Sequence, residues 1–263
     1  MSQIDRKKKI ILFGDDVGIP ILISICNDLN LTISAVVFSN KITYRKDLYE
    51  TYSKLYKIFL FEENFQSQIA EFIKNEKIFF GLIYSYDVLI KENILNIENF
   101  ELVNIHAGKL PEYRGANVLN WSIINGEKKT FISLHKVEKE IDSGDLIYEL
   151  EVQIDEMDTA SSLLDKINLK IISEAPNILY LYLEKSIKTY KQKGEIRYFR
   201  KRKPEDGFFT WVGSNYEIYN LIRALVSPWP GARYVNKNGT LVIIDSFQTL
   251  EEIEILRKAE EER

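Results

Sequence analysis

Asn104 and His106 are the residues whose types and spacing most directly suggest chemistry. They lie two positions apart at the end of the apolar segment ELVNIHA (101–107), so a strand there puts both side chains on one face. A histidine can take a proton near neutral pH, and an asparagine amide can donate to an oxygen on which negative charge develops. Asp142, in a later DSG turn, can orient the imidazole or hold a water. Amide-type acyl transfer needs these three roles.

The same residues have a purely structural interpretation, which the residue types alone leave open. His106 would then be a hydrogen-bonded core histidine, and Asp142 would only shape its turn. Reactive groups do concentrate in clefts, but that tendency does not decide a single case.

Several other chemistries lack their motifs. The first glycine turn, GDDVG (14–18), is not the G-x-G-x-x-G of dinucleotide binding, and the chain has no phosphate-cradling G-x-x-x-x-G-K-[ST] and no G-x-S-x-G elbow. Two histidines and one cysteine, far apart, give no zinc spacing, so we expect no metal site.

The elements that must position these residues follow an alternating pattern. Apolar runs rich in β-branched and aromatic residues alternate with stretches of helical spacing, which predicts parallel βαβ units; the runs are 9–14, 32–39, 57–61, 77–85 and 101–107. Segments 130–138 and 145–154 predict an antiparallel pair, and 159–189 predicts a long helix. The expected fold is α/β, a doubly wound Rossmann-like and mostly parallel sheet, whose ligands bind at the carboxyl ends of strands.

A change of composition near residue 190 predicts a second unit. The polar, basic segment KQKGEIRYFRKRKPEDG (191–207) is typical of a strap that leaves the first domain. An amphipathic segment (216–226), the turn SPWPGA and two short strands (233–236 and 240–246) follow. We therefore expect a catalytic domain over 1–190, and a linker with a small α+β subdomain over 191–263. The charged tail (251–263) has two interpretations, a solvated end or a stub of a longer protein.

Bulk properties set further expectations. A formal net charge of -4 gives no general attraction to nucleic acid, and the apolar run 10–13 is too short for a signal peptide or a membrane span. The single cysteine, Cys26, fits a reduced setting. We expect a cytoplasmic protein with no nucleic-acid or membrane partner, and leave a homodimer open.

The stretch NIHAGKLPEYRGAN, followed by NW, NGE and ISLHKVEKEIDSGDLI, resembles the signature of the 10-formyltetrahydrofolate-dependent formyltransferases. The resemblance extends over most of 8–190 and into IRYFRKRKPEDGFFTW and IRALVSPWPGARY, which are similar to the formyltransferase domain of bifunctional aminoarabinose-lipid enzymes. It implies 10-formyltetrahydrofolate as co-substrate and a catalytic triad of Asn104, His106 and Asp142. His135 matches a family position that we interpret as structural.

The resemblance also implies binding residues. The segment GLIYSYDVLIKENIL (81–95) resembles the family's folate-binding loop, whose predicted contacts, together with the turn at Asp142, are Tyr84, Ser85, Tyr86, Val88 and Leu89. The predicted acceptor contacts are Tyr113, Arg114, Trp121, Arg200 and Arg202, with Lys201 and Lys203 as further cations of the same run. Core packing explains Trp121 equally well, and a charge run is more often a solvated face.

Three acceptor amines compete within the resemblance. An enzyme acting on tRNA needs a positive surface, and a glycinamide ribonucleotide enzyme usually lacks the SPWPGA segment. A nucleotide-linked amino sugar (dTDP-, GDP- or UDP-linked), for surface polysaccharide biosynthesis, fits best. The alternatives are methionyl-tRNA formyltransferase and a non-catalytic folate- or nucleotide-binding module.

Overall fold

A twisted seven-stranded sheet forms the centre of the molecule, in a computed structural model that describes residues 8–39 and 46–261. The strand order is β3-β2-β1-β4-β5-β7-β8, with the first five parallel and β7 and β8 antiparallel to their neighbours. The strands of this sheet are β1 (Lys9–Gly14), β2 (Thr32–Phe38), β3 (Lys57–Phe59), β4 (Phe80–Tyr84), β5 (Glu101–His106), β7 (Lys129–Lys136) and β8 (Leu146–Gln153). The prediction of a mostly parallel, Rossmann-like sheet is confirmed.

Helices cover both faces of this sheet. They are α1 (Gly18–Asp28), α2 (Lys46–Tyr52), α3 (Phe65–Glu76), α4 (Glu92–Leu95), α5 (Val118–Ile124) and α6 (Ala160–Leu183). Both faces of the sheet are buried, as strand β1 shows. Its Ile10 and Leu12 pack into the core under α1 and α6, while its Ile11 and Phe13 pack into the core under α3. The carboxyl ends of the central strands are thereby held on a rigid base.

Several predicted elements are longer than the observed ones. The strand predicted over 57–61 ends at Phe59, the strand predicted over 77–85 is Phe80–Tyr84, and the helix predicted over 159–189 ends at Leu183. For the two strands, apolar residues extend beyond the hydrogen-bonded stretch, whereas the helix ends where the polar residues 184–186 begin. None of the described helices combines the length and the apolar character that a membrane span requires.

The C-terminal part is small and mixed. Its elements are β9 (Tyr198–Phe199), a 3-10 turn (Pro204–Gly207), α7 (Asn215–Ala224), β10 (Ala232–Val235), β11 (Leu241–Ile244) and α8 (Leu250–Glu261). The basic segment does more than leave the first domain, because β9 pairs in parallel with β6 (Arg114–Gly115), next to the predicted triad. The charged tail is not solvated throughout, since Ile253 of α8 is fully buried, although most of the other described tail residues are exposed. The boundary at residue 190 stays a prediction.

Candidate active site

Strand β5 ends in the two residues that the sequence singles out. Its antiparallel pairing with β7 sets Asn104 directly opposite His135 and His106 opposite Ser133. Nδ2 of Asn104 lies 3.2 Å from Nε2 of His135 and donates to Oδ1 of Asp142 at 3.3 Å. The structure therefore brings the three predicted catalytic residues together and adds His135 to them.

Asp142 occupies the centre of this cluster. Its Oδ1 faces Asn104 and lies 3.4 Å from Nε2 of His135, while its Oδ2 lies 3.5 Å from Nδ1 of His106. The backbone N–H of Gly115 donates to the same Oδ2 at 2.9 Å. Only 9% of the Asp142 side chain is exposed, so these contacts replace most of its hydration.

The electrostatic surroundings keep this carboxyl ionised. Burial by itself would raise the pKa of Asp142, because it removes water from the charged form. The facing ring of His106, the ring of His135 and the Gly115 N–H outweigh burial and hold the pKa of Asp142 well below its ordinary value. A permanent negative charge therefore lies between the two histidines.

The partners of the two imidazoles differ in kind. Nε2 of His106 lies 2.6 Å from the carbonyl oxygen of Tyr113, and its Nδ1 faces Asp142, so both nitrogens of His106 meet acceptors. Nδ1 of His135 lies 2.7 Å from the carbonyl oxygen of Lys136, and its Nε2 faces both the amide nitrogen of Asn104 and Oδ1 of Asp142.

Sequence reasoning named no partner for His135 and missed Gln192. Nε2 of Gln192 donates to the carbonyl oxygens of Asp142 and Gly144 at 2.8 and 2.9 Å. The predicted strand over 130–138 contains His135, but the residue that faces it depends on the register between β5 and β7. Gln192 lies in the strap and no spacing rule connects it to Asp142.

The predicted folate segment begins where β4 ends, beside the end of β5. The hydroxyl of Ser85 donates to Oδ2 of Asp15 at 2.6 Å. The ring of Tyr86 packs edge-on against the ring of Phe13. Val88 packs on the same apolar cluster, and Leu89 is exposed. The side chain of Tyr84 is buried and donates to Asn168, so it is not available to a folate ring. The other folate contacts stay predictions.

Three of the predicted acceptor residues, Tyr113, Trp121 and Arg202, form a stacked wall with Phe199. The ring of Tyr113 stacks on Phe199 at 4.8 Å, Trp121 follows at 5.6 Å from Phe199, and the guanidinium of Arg202 lies 4.7 Å above Trp121. Arg202 is partly buried, which lowers its pKa from the ordinary guanidinium value. Phe199 joins this wall although the sequence did not single it out.

Three of the predicted acceptor cations already have side-chain partners within the protein. Arg114 is buried and donates to Gln192 and to the hydroxyl of Tyr198. Arg200 makes a two-pronged ion pair with Asp206, and the exposed Lys201 lies 3.3 Å from Asp87 of the folate segment. Lys203 is exposed. Their contacts with an acceptor stay predictions.

Two family matches follow the two parts of the chain. The formyl transferase family matches residues 31–174, which is more than half of the chain and includes all of the cluster around Asp142. The chain belongs to the formyl transferase family. The family's C-terminal domain matches residues 201–253 of this formyl transferase.

Two curated relatives have named functions. The chain is 39% identical over 150 residues to the bifunctional polymyxin resistance protein ArnA of Wigglesworthia glossinidia brevipalpis, covering 57% of this chain and 23% of that protein. It is 33% identical over 169 residues to methionyl-tRNA formyltransferase of Thermodesulfovibrio yellowstonii, covering 63% of this chain and 53% of that protein. The chain thus spans about a quarter and about half of the lengths of these relatives.

Solved structures show the same fold over nearly the whole formyl transferase. A 4-N formyltransferase from Francisella tularensis is 19% identical, with a TM-score of 0.76 over 93% of this chain and 99% of its own. A sugar N-formyltransferase from Shewanella is 18% identical, with a TM-score of 0.74 over 92% and 98%. HypX from Aquifex aeolicus in complex with tetrahydrofolic acid is 17% identical, with a TM-score of 0.65 over 91% and 37%.

Proposed function

We propose that the chain transfers a formyl group from 10-formyltetrahydrofolate to the amine of a nucleotide-linked amino sugar. The observation that carries this proposal is the contact of one buried carboxylate, Asp142, with Asn104, His106 and His135 at the carboxyl end of β5. In a formyl transferase, this is a cluster that can bind an oxygen, hold a charge and move a proton.

Each residue of the cluster has a distinct part in the proposed reaction. The acceptor nitrogen forms a bond to the formyl carbon while the bond from that carbon to the folate nitrogen breaks. Asn104 donates to the formyl oxygen, on which negative charge develops. One proton leaves the amine and one is needed by the leaving nitrogen, and His106 is the group that moves it. Asp142 stabilises the positive charge on His106.

The segment after β4 has the character that a pterin ring requires. It offers backbone groups at the end of a parallel strand and apolar side chains at Val88 and Leu89, beside the strand that carries His106. The strap reaches the same segment, since Lys201 is paired with Asp87. We propose that folate binds between residues 84–89 and the turn at Asp142.

The acceptor wall favours a nucleotide-linked sugar. Trp121 and Phe199 present aromatic surface, and the guanidinium of Arg202 lies beside them, a combination that suits a ring followed by a pyrophosphate. The sugar N-formyltransferase folds that extend over nearly all of both chains support this choice. The product would be an N-formyl sugar for surface polysaccharide biosynthesis.

Methionyl-tRNA formyltransferase is the second candidate. The relative from Thermodesulfovibrio yellowstonii favours it by its 33% identity. A net charge of -4 speaks against it, because binding tRNA depends on neutralising phosphates. The two candidates share the formyl-transfer chemistry and differ only in the acceptor.

A panel of acceptors tests the proposal directly. Purified protein is incubated with 10-formyltetrahydrofolate and, separately, dTDP-, GDP- and UDP-linked amino sugars and methionyl-tRNA. We expect tetrahydrofolate release and an acceptor heavier by one CO with at least one amino sugar. Formylation of methionyl-tRNA alone would establish the second candidate. Folate binding without transfer to any acceptor would leave only the binding-module alternative.

A further inference from the structure

Both the nitrogen and the oxygen of the Gln192 carboxamide form hydrogen bonds next to the cluster around Asp142. Its nitrogen donates to the carbonyl oxygens of Asp142 and Gly144, at 2.8 and 2.9 Å. Its oxygen accepts from Nε and Nη2 of Arg114, at 3.1 and 2.7 Å. Both donor hydrogens and the acceptor of one side chain are therefore engaged.

The two carbonyls lie on the turn that carries the central carboxylate. Asp142 has a φ of 50°, a left-handed conformation that is uncommon for a residue with a side chain. Such a conformation persists when surrounding contacts hold it. Gln192 supplies two of those contacts, one on Asp142 itself and one two residues later.

The side-chain oxygen of Gln192 contacts Arg114, in the segment whose next residue, Gly115, contacts Asp142. Arg114 is buried and is followed by Gly115, whose N–H donates to Oδ2 of Asp142 at 2.9 Å. Pairing of β6 with β9 places this segment beside the strap. Gln192 thus joins the turn that carries the carboxylate to the loop that orients it.

We propose that Gln192 is a positioning residue that sets the orientation of the Asp142 carboxylate towards His106 and His135. It touches none of the three side chains, and it acts through two backbone carbonyls and through Arg114. The kinetic part of this inference rests on the proposed formyl transfer, whereas its geometric part does not.

Two substitutions separate the two ends of the carboxamide. Gln192→Met keeps the approximate size and removes every hydrogen bond. Gln192→Glu keeps an acceptor for Arg114, but it replaces the donors with an oxygen that faces two carbonyls. Gln153→Met is the matched control, because Gln153 is exposed on β8 and its nitrogen contacts only Glu151 among the side-chain bonds of the described residues.

The kinetic expectation is a loss of turnover with little change in substrate KM. Small misplacements of a catalytic group cost large factors in rate, so both Gln192 variants should lower kcat about 10- to 100-fold. Gln153→Met should leave kcat unchanged. Wild-type kcat in Gln192→Glu would show that Gln192 serves only as a partner for Arg114, and would overturn the inference.

A second readout needs no catalysis, because the chain has two histidines and both face Asp142. Nitrogen chemical shifts of the imidazoles are measured against pH in untagged, histidine-labelled protein, with thermal unfolding recorded to confirm folding. We expect the imidazole shifts of His106 and His135 to change in both Gln192 variants and not in Gln153→Met. Unchanged imidazole shifts in folded Gln192→Glu and Gln192→Met would overturn the inference.

The two readouts also separate this inference from the proposed function. Altered imidazole shifts, in a protein whose wild type formylates no acceptor, would refute the proposed function and support the positioning role. Formyl transfer by the wild type with unchanged kcat and unchanged imidazole shifts in both variants would support the function and refute the positioning role.

Discussion

At the scale of single residues, Asp142 determines the electrostatics of the site. It is buried, and it keeps its charge because two imidazoles and one backbone N–H face it. Its folded-state pKa lies below that of an unfolded aspartate, so the folded protein holds this proton less tightly than the unfolded chain. The stabilisation from this group is present above the unfolded value, about 3.9, and is lost as pH falls through the lower folded value.

This sign gives a prediction for Asp142→Asn. We expect the wild type to lose stability progressively as pH falls below about 4, while the variant, which lacks the titrating group, shows a smaller loss over that window. Urea unfolding at several pH values measures both. Parallel stability profiles for the two proteins would show that the Asp142 contacts do not lower its pKa.

The sequence predicted the residues of the cluster better than their partners. Asn104 and His106 share a face because strand alternation is local, and the register of β5 confirms it. His135 comes opposite Asn104 only through pairing between distant segments. Gln192 depends on the path of the strap, which no periodicity encodes.

At the scale of elements, the DSG turn depends on a close approach to β7. A Cβ on Gly144 would lie 1.9 Å from the carbonyl oxygen of Lys136, which also faces Nδ1 of His135 at 2.7 Å. We predict that Gly144→Ala destabilises the fold by about 1–3 kcal/mol and lowers turnover, because the backbone must shift at both Asp142 and His135. Urea unfolding and steady-state kinetics measure the two effects.

Gly213→Ala is the matched control for that prediction. The nearest atom to a Cβ there is a side-chain oxygen of Glu217 at 3.5 Å, an ordinary contact. We expect this variant to keep wild-type stability and turnover. If Gly144→Ala behaved like Gly213→Ala, the turn would not need the close approach.

The proposed folate segment can be tested through its exposed leucine. Leu89 is 66% exposed, so a bound folate could cover its apolar side chain. Leu89→Asp would remove this apolar contact. We predict about tenfold weaker binding of a stable folate analogue, measured by calorimetry. Leu55→Asp is the control, since Leu55 is 65% exposed in the turn before β3. Equal affinity in both variants would place the ligand elsewhere.

At the scale of the whole molecule, Arg223 connects α7 to the first part of the chain. Only 2% of Arg223 is exposed, and its Nη1 donates to the carbonyl oxygens of Asp155 and Asp158 at 3.2 and 2.7 Å. Burial lowers the pKa of Arg223 from its ordinary value. The amide of Asn120 adds a second link, donating to the carbonyl of Ala224 at 2.7 Å.

We predict that Arg223→Met lowers the free energy of unfolding by about 1–3 kcal/mol, because buried carbonyls lose their donor. Arg197→Met, at an exposed ion pair with Glu195, should leave it unchanged. Urea unfolding compares them. Wild-type stability in Arg223→Met would mean that water replaces the guanidinium at these carbonyls.

The whole-molecule features show where local sequence patterns stop being informative. The α/β alternation predicted the sheet because each βαβ unit is encoded within one stretch. The charge of the tail suggested a solvated end as one interpretation. Ile253 is nevertheless buried, and Arg257 donates to the carbonyl of Gly213, just before α7. Likewise, the composition of the basic strap predicted a linker, although its strand β9 pairs with β6 beside the site.

The central claim is formyl transfer by the Asn104–His106–Asp142 cluster, and single-turnover transfer from 10-formyltetrahydrofolate labelled in its formyl carbon tests it most directly. Asn104→Ala should lower the rate by about 100- to 1000-fold, while His106→Asn should lower it greatly with little loss of folate affinity. Because the residues act as a unit, the double variant should be only slightly worse than the poorer single variant. Near wild-type transfer of the label by folded His106→Asn, with the amino sugar that the wild type formylates, would contradict the account.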